Sequence, residues 1–244
     1  IEMRQTKERR LYLFDDKALA VLIVPLIIEQ FLAVLVGMAD SVMIATVGEA
    51  AVSGVSLVDN IMVLFINAFS ALAAGGAVIC GQYLGQRDER LACRASTQIV
   101  WFVTLVSLVL MVIIYCGKWF ILHVVFGSID ADVMGHANIY LLIVAASIPF
   151  LALYNAGAAI FRAMGDSKAP MKVSILMNLI NVSGNALLIY GLHCGTEGVA
   201  IPTLISRMTA AVVIIAMLVN QKLRLHIDRD FHFRPDGRMI RRIL

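Results

Sequence analysis

The sequence predicts an all-α, polytopic membrane protein with six transmembrane helices, and three observations support this prediction. Apolar residues make up 60% of the 244 residues and charged residues only 15%, and the mean hydropathy of +0.86 exceeds that of ordinary soluble domains. Six apolar runs are each long enough to cross about 30 Å of hydrocarbon. The connections between them are short, which leaves no room for a soluble catalytic domain. The predicted spans are 18–47, 51–84, 95–126, 137–161, 171–190 and 198–220.

The distribution of Lys and Arg predicts the orientation of these spans. Basic residues cluster before the first span, in the second and fourth connections and after the sixth span, whereas the opposite side has only Lys118. The positive-inside rule places the basic side in the cytoplasm. We therefore expect a multi-pass protein of the cell (inner or plasma) membrane with cytoplasmic N- and C-termini. The net charge of +3 reflects this topology and does not indicate a nucleic-acid partner.

Three regions follow from this topology. Residues 1–17 form a charged, partly amphipathic segment that we expect at the cytoplasmic interface. Residues 18–220 form the six-helix lobe, and 221–244 form a basic cytoplasmic linker in which a new helix begins at Arg238. Because the chain begins at Ile1 without an initiator Met, we expect it to be part of a longer protein.

The first span contains two acidic residues, Glu29 and Asp40. Ionisable groups are costly in hydrocarbon and mark a candidate functional site. The eleven residues between them correspond to three helical turns plus about 20°, so both lie on one stripe, roughly 16 Å apart. We predict that this acidic face points into the protein. Pro25 removes one helical hydrogen bond and allows the helix to bend.

The second span contains Asp59 about two turns from its outer end, where either a partner side chain or a wet cavity is required. Farther along, Ala77, Gly81 and Gly85 recur every four residues, a spacing that favours close packing of helices over ligand contact.

The fourth, fifth and sixth spans contain further polar groups. Asn155 lies in the fourth span. Asn178, Asn181 and Asn185 share one face of the fifth, which predicts either interhelical hydrogen bonds or a lined cavity. Thr203 follows Pro202 in the sixth, where the carbonyl freed by the proline is suited to a small cation.

The depths of these polar groups indicate a common layer. Asp40, Asn185 and Thr203 all lie roughly 8–12 Å below the outer ends of their helices. Together with the freed carbonyl they form a set of hard oxygen ligands for a small cation, whereas Asp40 alone can bind and carry a proton. A hydrogen-bonded packing cluster is an equal alternative.

Several motifs resemble those of the multidrug and toxic compound extrusion (MATE) transporters. The strongest lie around the fourth span, IPFLALYN at 148–155 and FRAMGDSKAP at 161–170. The others, in chain order, are MADSVMI at 38–44, GQYLGQ at 81–86, NLIN at 178–181 with LLIYG at 187–191, and GVAIPTLIS at 198–206. Their order and spacing make the resemblance specific.

The resemblance implies a secondary antiporter that exports small organic, often cationic, drugs and toxic compounds in exchange for Na⁺ or H⁺. Family members have twelve helices in two lobes. This chain resembles the N-terminal lobe and the linker between lobes, so the second six-helix lobe lies outside it. The coupling ion is then the only cofactor expected, and the chain is not an enzyme.

The resemblance also implies roles for individual residues. Asp40 matches the cation-coupling acid of the family, and Asn181 and Thr203 match oxygen ligands of the same candidate Na⁺ site. Asn185 stands where some branches have a second Asp, which leaves the choice between Na⁺ and H⁺ open. Pro202 replaces the usual Ala. The remaining intramembrane polar groups are candidate cavity-lining residues: Glu29, Asp59, Asn155 and Asn178.

Three other functions remain alternatives. A flippase for lipid-linked precursors shares the architecture of this superfamily, but its cavity is typically basic, whereas here Arg207 alone opposes the buried acids. A membrane assembly subunit without transport activity has little need for acids inside its helices. A membrane enzyme is the weakest alternative because the sequence lacks HExxH, GxSxG and P-loop motifs.

Overall fold

The computed structural model describes residues 16–127, 129–220 and 223–227. Over these residues the structure is helical without strands, which confirms the predicted all-α class. Short π-helical turns, Ile121–Val125 and Leu187–Gly191, extend two of the helices. The helix start predicted at Arg238 and residues 1–15 of the predicted interfacial segment 1–17 lie outside the described residues, whereas Asp16 and Lys17 begin the first helix. The helices are α1 (Asp16–Ala45), α2 (Glu49–Gly85), α3 (Glu89–Phe120), α4 (Ala131–Ala145), α5 (Ile148–Ala163), α6 (Lys168–Ala186) and α7 (Glu197–Leu218).

Five of the described helices are long and apolar enough to cross a membrane, and α4 with α5 forms a sixth, bent span. The continuous fourth helix predicted at 137–161 is therefore wrong. The two segments meet at an angle of 47°, with the break after Ala145. Pro149 explains the break, since it lacks an N–H and its ring clashes with the carbonyl four residues earlier.

The connection between α2 and α3 is shorter than the predicted loop 87–94. The helix begins at Glu89 because the side chain of Asp88 accepts a hydrogen bond from the backbone N–H of Leu91 at 3.0 Å. An aspartate in this position caps the free N–H groups of the first turn. Arg87 adopts a left-handed backbone, with φ of 61°, and completes the tight turn.

Helix α5 lies at the centre of the lobe and packs against α2, α3 and α7. Small side chains permit this close packing: a Cβ at Gly157 would lie 2.8 Å from Ile214. On α2 the closely packed glycines are Gly54, against Val133 and Ala137, and Gly76, against Ile99, whereas a Cβ at Gly81 or Gly85 would meet no described atom within 4 Å. Within the described part of the lobe, Gly81 and Gly85 therefore do not make the close packing predicted for the stripe.

Helix α1 lies at the edge of the lobe. It packs chiefly against α6, with fewer contacts to α2, and many of its apolar side chains are exposed. The helix continues through Pro25 without interruption. Its polar contacts with the lobe build the candidate site.

The residues after α7 return to the lobe. Leu225 is fully buried, and the backbone N–H of Ile227 donates to the carbonyl of Leu218 at 2.9 Å. Arg224 lies 3.5 Å from Glu89 in an ion pair whose side chains are both more than half exposed.

Candidate functional site

Asp40, Asn185, Asn181 and Thr203 form one hydrogen-bonded layer across α1, α6 and α7. The Nδ2 group of Asn185 donates to Asp40 Oδ1 at 2.6 Å and to Asn181 Oδ1 at 3.3 Å. Asn181 Nδ2 in turn donates to Thr203 Oγ1 at 3.0 Å. The structure thus brings together all four residues that were predicted from their depth and from the family resemblance.

Close approach of α6 and α7 positions the Asn181 and Thr203 end of this layer. Gly184 lies against the ring of Pro202, and a Cβ at this glycine would come within 2.7 Å of the proline Cβ. The helix continues through Pro202. One residue later, Thr203 Oγ1 donates to the carbonyl of Val199 at 2.8 Å, which directs its lone pairs toward Asn181.

The layer contains an oxygen atom without a donor among the described residues. Asn185 is fully buried, and its Oδ1 has no hydrogen-bond partner there, although its Nδ2 has two acceptors. Buried polar groups are rarely left unpaired. An unpaired amide oxygen next to a carboxylate is suited to a cation, since carboxylate, amide and hydroxyl oxygens are hard ligands.

A second acid, Asp59, interacts with α4. Its Oδ1 accepts a hydrogen bond from the hydroxyl of Tyr140 at 2.9 Å. Of the two alternatives predicted for Asp59, a partner side chain or a wet cavity, the structure thus shows a partner side chain. Apart from this contact, Asp59 is exposed. Nearby, Arg207 donates to Ser147 Oγ at 2.8 Å, at the break between α4 and α5. Asp59 and Arg207 thus place opposite charges near the layer.

Glu29 lies in a separate cluster. Only 7% of it is exposed, and its two oxygens accept from Tyr154 at 2.8 Å and from Arg162 Nη2 at 2.7 Å. The Tyr154 hydroxyl also lies 3.4 Å from the carbonyl of Pro170. The acidic stripe of α1 therefore faces the protein at both levels, as predicted.

Asn155 lines a cavity between α2 and α5, whereas Glu29 is not among the residues that line it. Asn178 stays outside the hydrogen-bonded layer, although it shares a face with Asn181, and its Nδ2 is buried without a partner in the described structure. Cavity lining by Glu29, Asp59 and Asn178 stays a prediction.

Arg162 was predicted only as a topological charge, and the two tyrosines that donate to the acids, Tyr140 and Tyr154, were not predicted as site residues. A signal was available: a buried carboxylate needs a cation or a hydroxyl at its own depth. Tyr154 and Arg162 lie on the half of the fourth span that matches the depth of Glu29.

Comparisons with known proteins agree with this architecture. The MatE family model matches residues 25–187. The chain is 30% identical over 224 residues to the uncharacterized transporter YisQ of Bacillus subtilis (strain 168), covering 90% of this chain and 49% of that protein. It is 29% identical over 223 residues to the probable multidrug resistance protein YoeA of the same strain, covering 87% and 47%.

A solved structure supports the fold. The outward-facing conformation of a multidrug resistance MATE family transporter of the MOP superfamily superposes with a TM-score of 0.82 at 22% identity, over 93% of this chain and 50% of that chain. The chain thus spans about half the length of the relatives it matches. Its apolar spans make it a multi-pass membrane protein. Since the family model matches more than half of its residues, the chain belongs to the MatE family.

Proposed function

We propose that this chain is the N-terminal lobe of a multidrug exporter, in which binding of Na⁺ or H⁺ at Asp40 drives the outward transport of small organic cations by antiport. The observation that supports the proposal best is the layer of Asp40, Asn185, Asn181 and Thr203, with its unpaired amide oxygen. The likeness to YoeA, a probable multidrug resistance protein, supports drugs as the substrates.

The two coupling ions place different demands on this layer. A proton needs only a free oxygen of Asp40, so the hydrogen bond from Asn185 to Oδ1 can persist. Sodium needs several oxygen ligands, so it must replace hydrogen bonds that now join Asn185, Asn181 and Thr203. Sodium coupling therefore requires rearrangement of the two amides, and proton coupling does not.

Binding of an ion at Asp40 can change the position of α1. Asp40 belongs to α1, whereas Asn185, Asn181 and Thr203 belong to α6 and α7. Any ion that binds Asp40 changes the contact that joins α1 to the rest of the lobe, and an ion shifts a conformational equilibrium by its differential affinity for the two states. We propose that this change alters which side of the membrane the substrate cavity faces.

Transport in proteoliposomes tests the proposal, using the protein expressed from its native gene. Ethidium efflux is measured under an imposed Na⁺ gradient or pH gradient. We expect Asp40→Asn to abolish gradient-driven efflux, because the amide cannot bind a proton and is a weak ligand for sodium. Asp132→Asn, at an exposed acid of α4, serves as the matched control. Gradient-driven efflux by Asp40→Asn at the wild-type rate refutes the proposal.

We further propose cytoplasmic chain ends and a partner lobe of six helices in the same protein. The distribution of Lys and Arg supports the orientation. The coverage of about half of each relative supports the second lobe. Labelling of a cysteine introduced at Gly48 by an impermeant thiol reagent from outside intact cells tests the orientation, and absence of labelling contradicts it.

A further inference from the structure

A cavity of about 280 Å³ lies between α2 and α5, away from the Asp40 layer. It adjoins the Glu29 cluster, and Glu29 and Asp40 are roughly 16 Å apart along α1. Its walls are mostly small apolar side chains, with polar groups from three residues. The cavity is lined by Ser70, Ala74, Ala77, Val78, Asn155, Ala159, Arg162 and Ala163.

Two of these lining residues have hydrogen-bond donors without an acceptor among the described residues. They are the Nδ2 group of Asn155 and the Nε group of Arg162, and both atoms are buried. The guanidinium is held in place by the bond from its Nη2 to Glu29, at 2.7 Å. Because buried donors that lack a partner cost free energy, an acceptor in the cavity would bind favourably after a small side-chain rotation.

The charges favour a neutral ligand. Glu29 balances the charge of Arg162, so the pair has no net charge to offer to an anion. The two buried polar atoms that lack partners among the described residues are both donors, so they favour a ligand with an acceptor oxygen over an ammonium ion. The Asp40 layer has the opposite character, since its unpaired group is the oxygen of Asn185.

The volume has room for a small aromatic ligand. An apolar cavity of about 150 Å³ holds a benzene ring, so 280 Å³ has room for one ring and a small polar substituent. We propose that this cavity is a second binding site, for a neutral aromatic compound whose carbonyl oxygen accepts hydrogen bonds from Asn155 and Arg162. The site does not depend on ion coupling at Asp40.

Ligand-observed ¹⁹F NMR tests the proposal, with the protein expressed from its native gene in lipid nanodiscs. The probes are 4-fluorobenzamide, which is neutral, and 4-fluorobenzylammonium, which is cationic. We expect saturable broadening of the benzamide signal. Asn155→Leu is expected to weaken binding about tenfold, as loss of one hydrogen bond does, and Ala74→Phe to abolish it by filling the cavity.

Matched variants control for general effects on the fold. Asn67→Leu and Ala71→Phe change exposed residues of α2 that do not line the cavity, and they should retain wild-type binding. Asp40→Asn should also retain it, so failure of this site and failure of the proposed coupling are distinguishable. Equal benzamide binding by wild type and Ala74→Phe overturns the proposal. Binding of benzylammonium that Asn155→Leu weakens overturns the ligand class.

Discussion

The ion pair between Glu29 and Arg162 offers a direct test of how α1 is held against the lobe. The side chain of Glu29 is 10% exposed and that of Arg162 is 32% exposed, and 2.7 Å separates their charged atoms. We expect removal of either partner to destabilise the protein, because the remaining charge stays largely buried.

The expected loss in the free energy of unfolding depends on how deeply each group is buried. Loss of one partner of a fully buried pair costs about 3–5 kcal/mol. Arg162→Gln leaves the carboxylate with Tyr154 alone, and we expect a loss of about 2–4 kcal/mol. Glu29→Gln should cost less, about 1–2 kcal/mol, because glutamine still accepts from Tyr154 and water reaches part of Arg162. The double variant should be no less stable than Arg162→Gln, which gives a coupling energy of about 1–2 kcal/mol.

The measurement is a double-mutant cycle in which the free energy of unfolding is obtained by SDS titration in mild detergent and followed by circular dichroism. The exposed pair Arg224 and Glu89, 3.5 Å apart, supplies the control cycle. Its coupling energy should stay below about 1 kcal/mol, as for most surface ion pairs.

Additive effects of Glu29→Gln and Arg162→Gln would refute this reasoning. So would an Arg162→Gln variant as stable as Arg224→Gln. Either result would mean that the pair contributes no more than a solvated surface contact and that other contacts hold α1.

Two further predictions concern the packing of the lobe and the polar layer. In the same SDS-unfolding assay, Gly157→Ala should cost about 1–3 kcal/mol, because its Cβ would lie 2.8 Å from the buried, branched side chain of Ile214. Gly37→Ala, whose Cβ would meet no described atom within 4 Å, should be neutral or slightly stabilising. Asn185→Asp places a second carboxylate in contact with Asp40, and since two such acids need a cation or a proton between them, its melting temperature should rise with added Na⁺ or on acidification more than that of wild type. An unchanged response to both ions would contradict this expectation.

The fixed geometry of the α-helix made the Asp40 layer predictable. Each residue advances the helix by 1.5 Å, so counting from the outer end of each span gave Asp40, Asn185 and Thr203 a common depth. Depth was enough for these three side chains, because they lie near well-defined helix ends. Asn181 shares a face of α6 with Asn185, but only the family resemblance placed it in the layer.

The same rules could not identify the partners of Glu29 and Asp59. Depth shows the level of a residue, but it does not show which helix is the neighbour at that level. Tyr154 and Arg162 contact Glu29 because α5 lies at the centre of the lobe, and this arrangement depends on close packing at Gly157 and similar positions. For the same reason the spacing of Gly81 and Gly85 did not reveal that no described helix packs closely against them.

The two polar clusters of α1 also explain how a peripheral helix takes a defined orientation. Inside a bilayer the apolar side chains of α1 gain little from exchanging lipid for protein, since lipid tails are as apolar as leucine. The bonds of Glu29 and Asp40 therefore decide its rotation. Eleven residues bring the second acid back to within about 20° of the first, so one orientation satisfies both. If ion binding changes the contact at Asp40 as proposed, α1 stays attached at Glu29, so the end of α1 that contains Asp40 is the end expected to move.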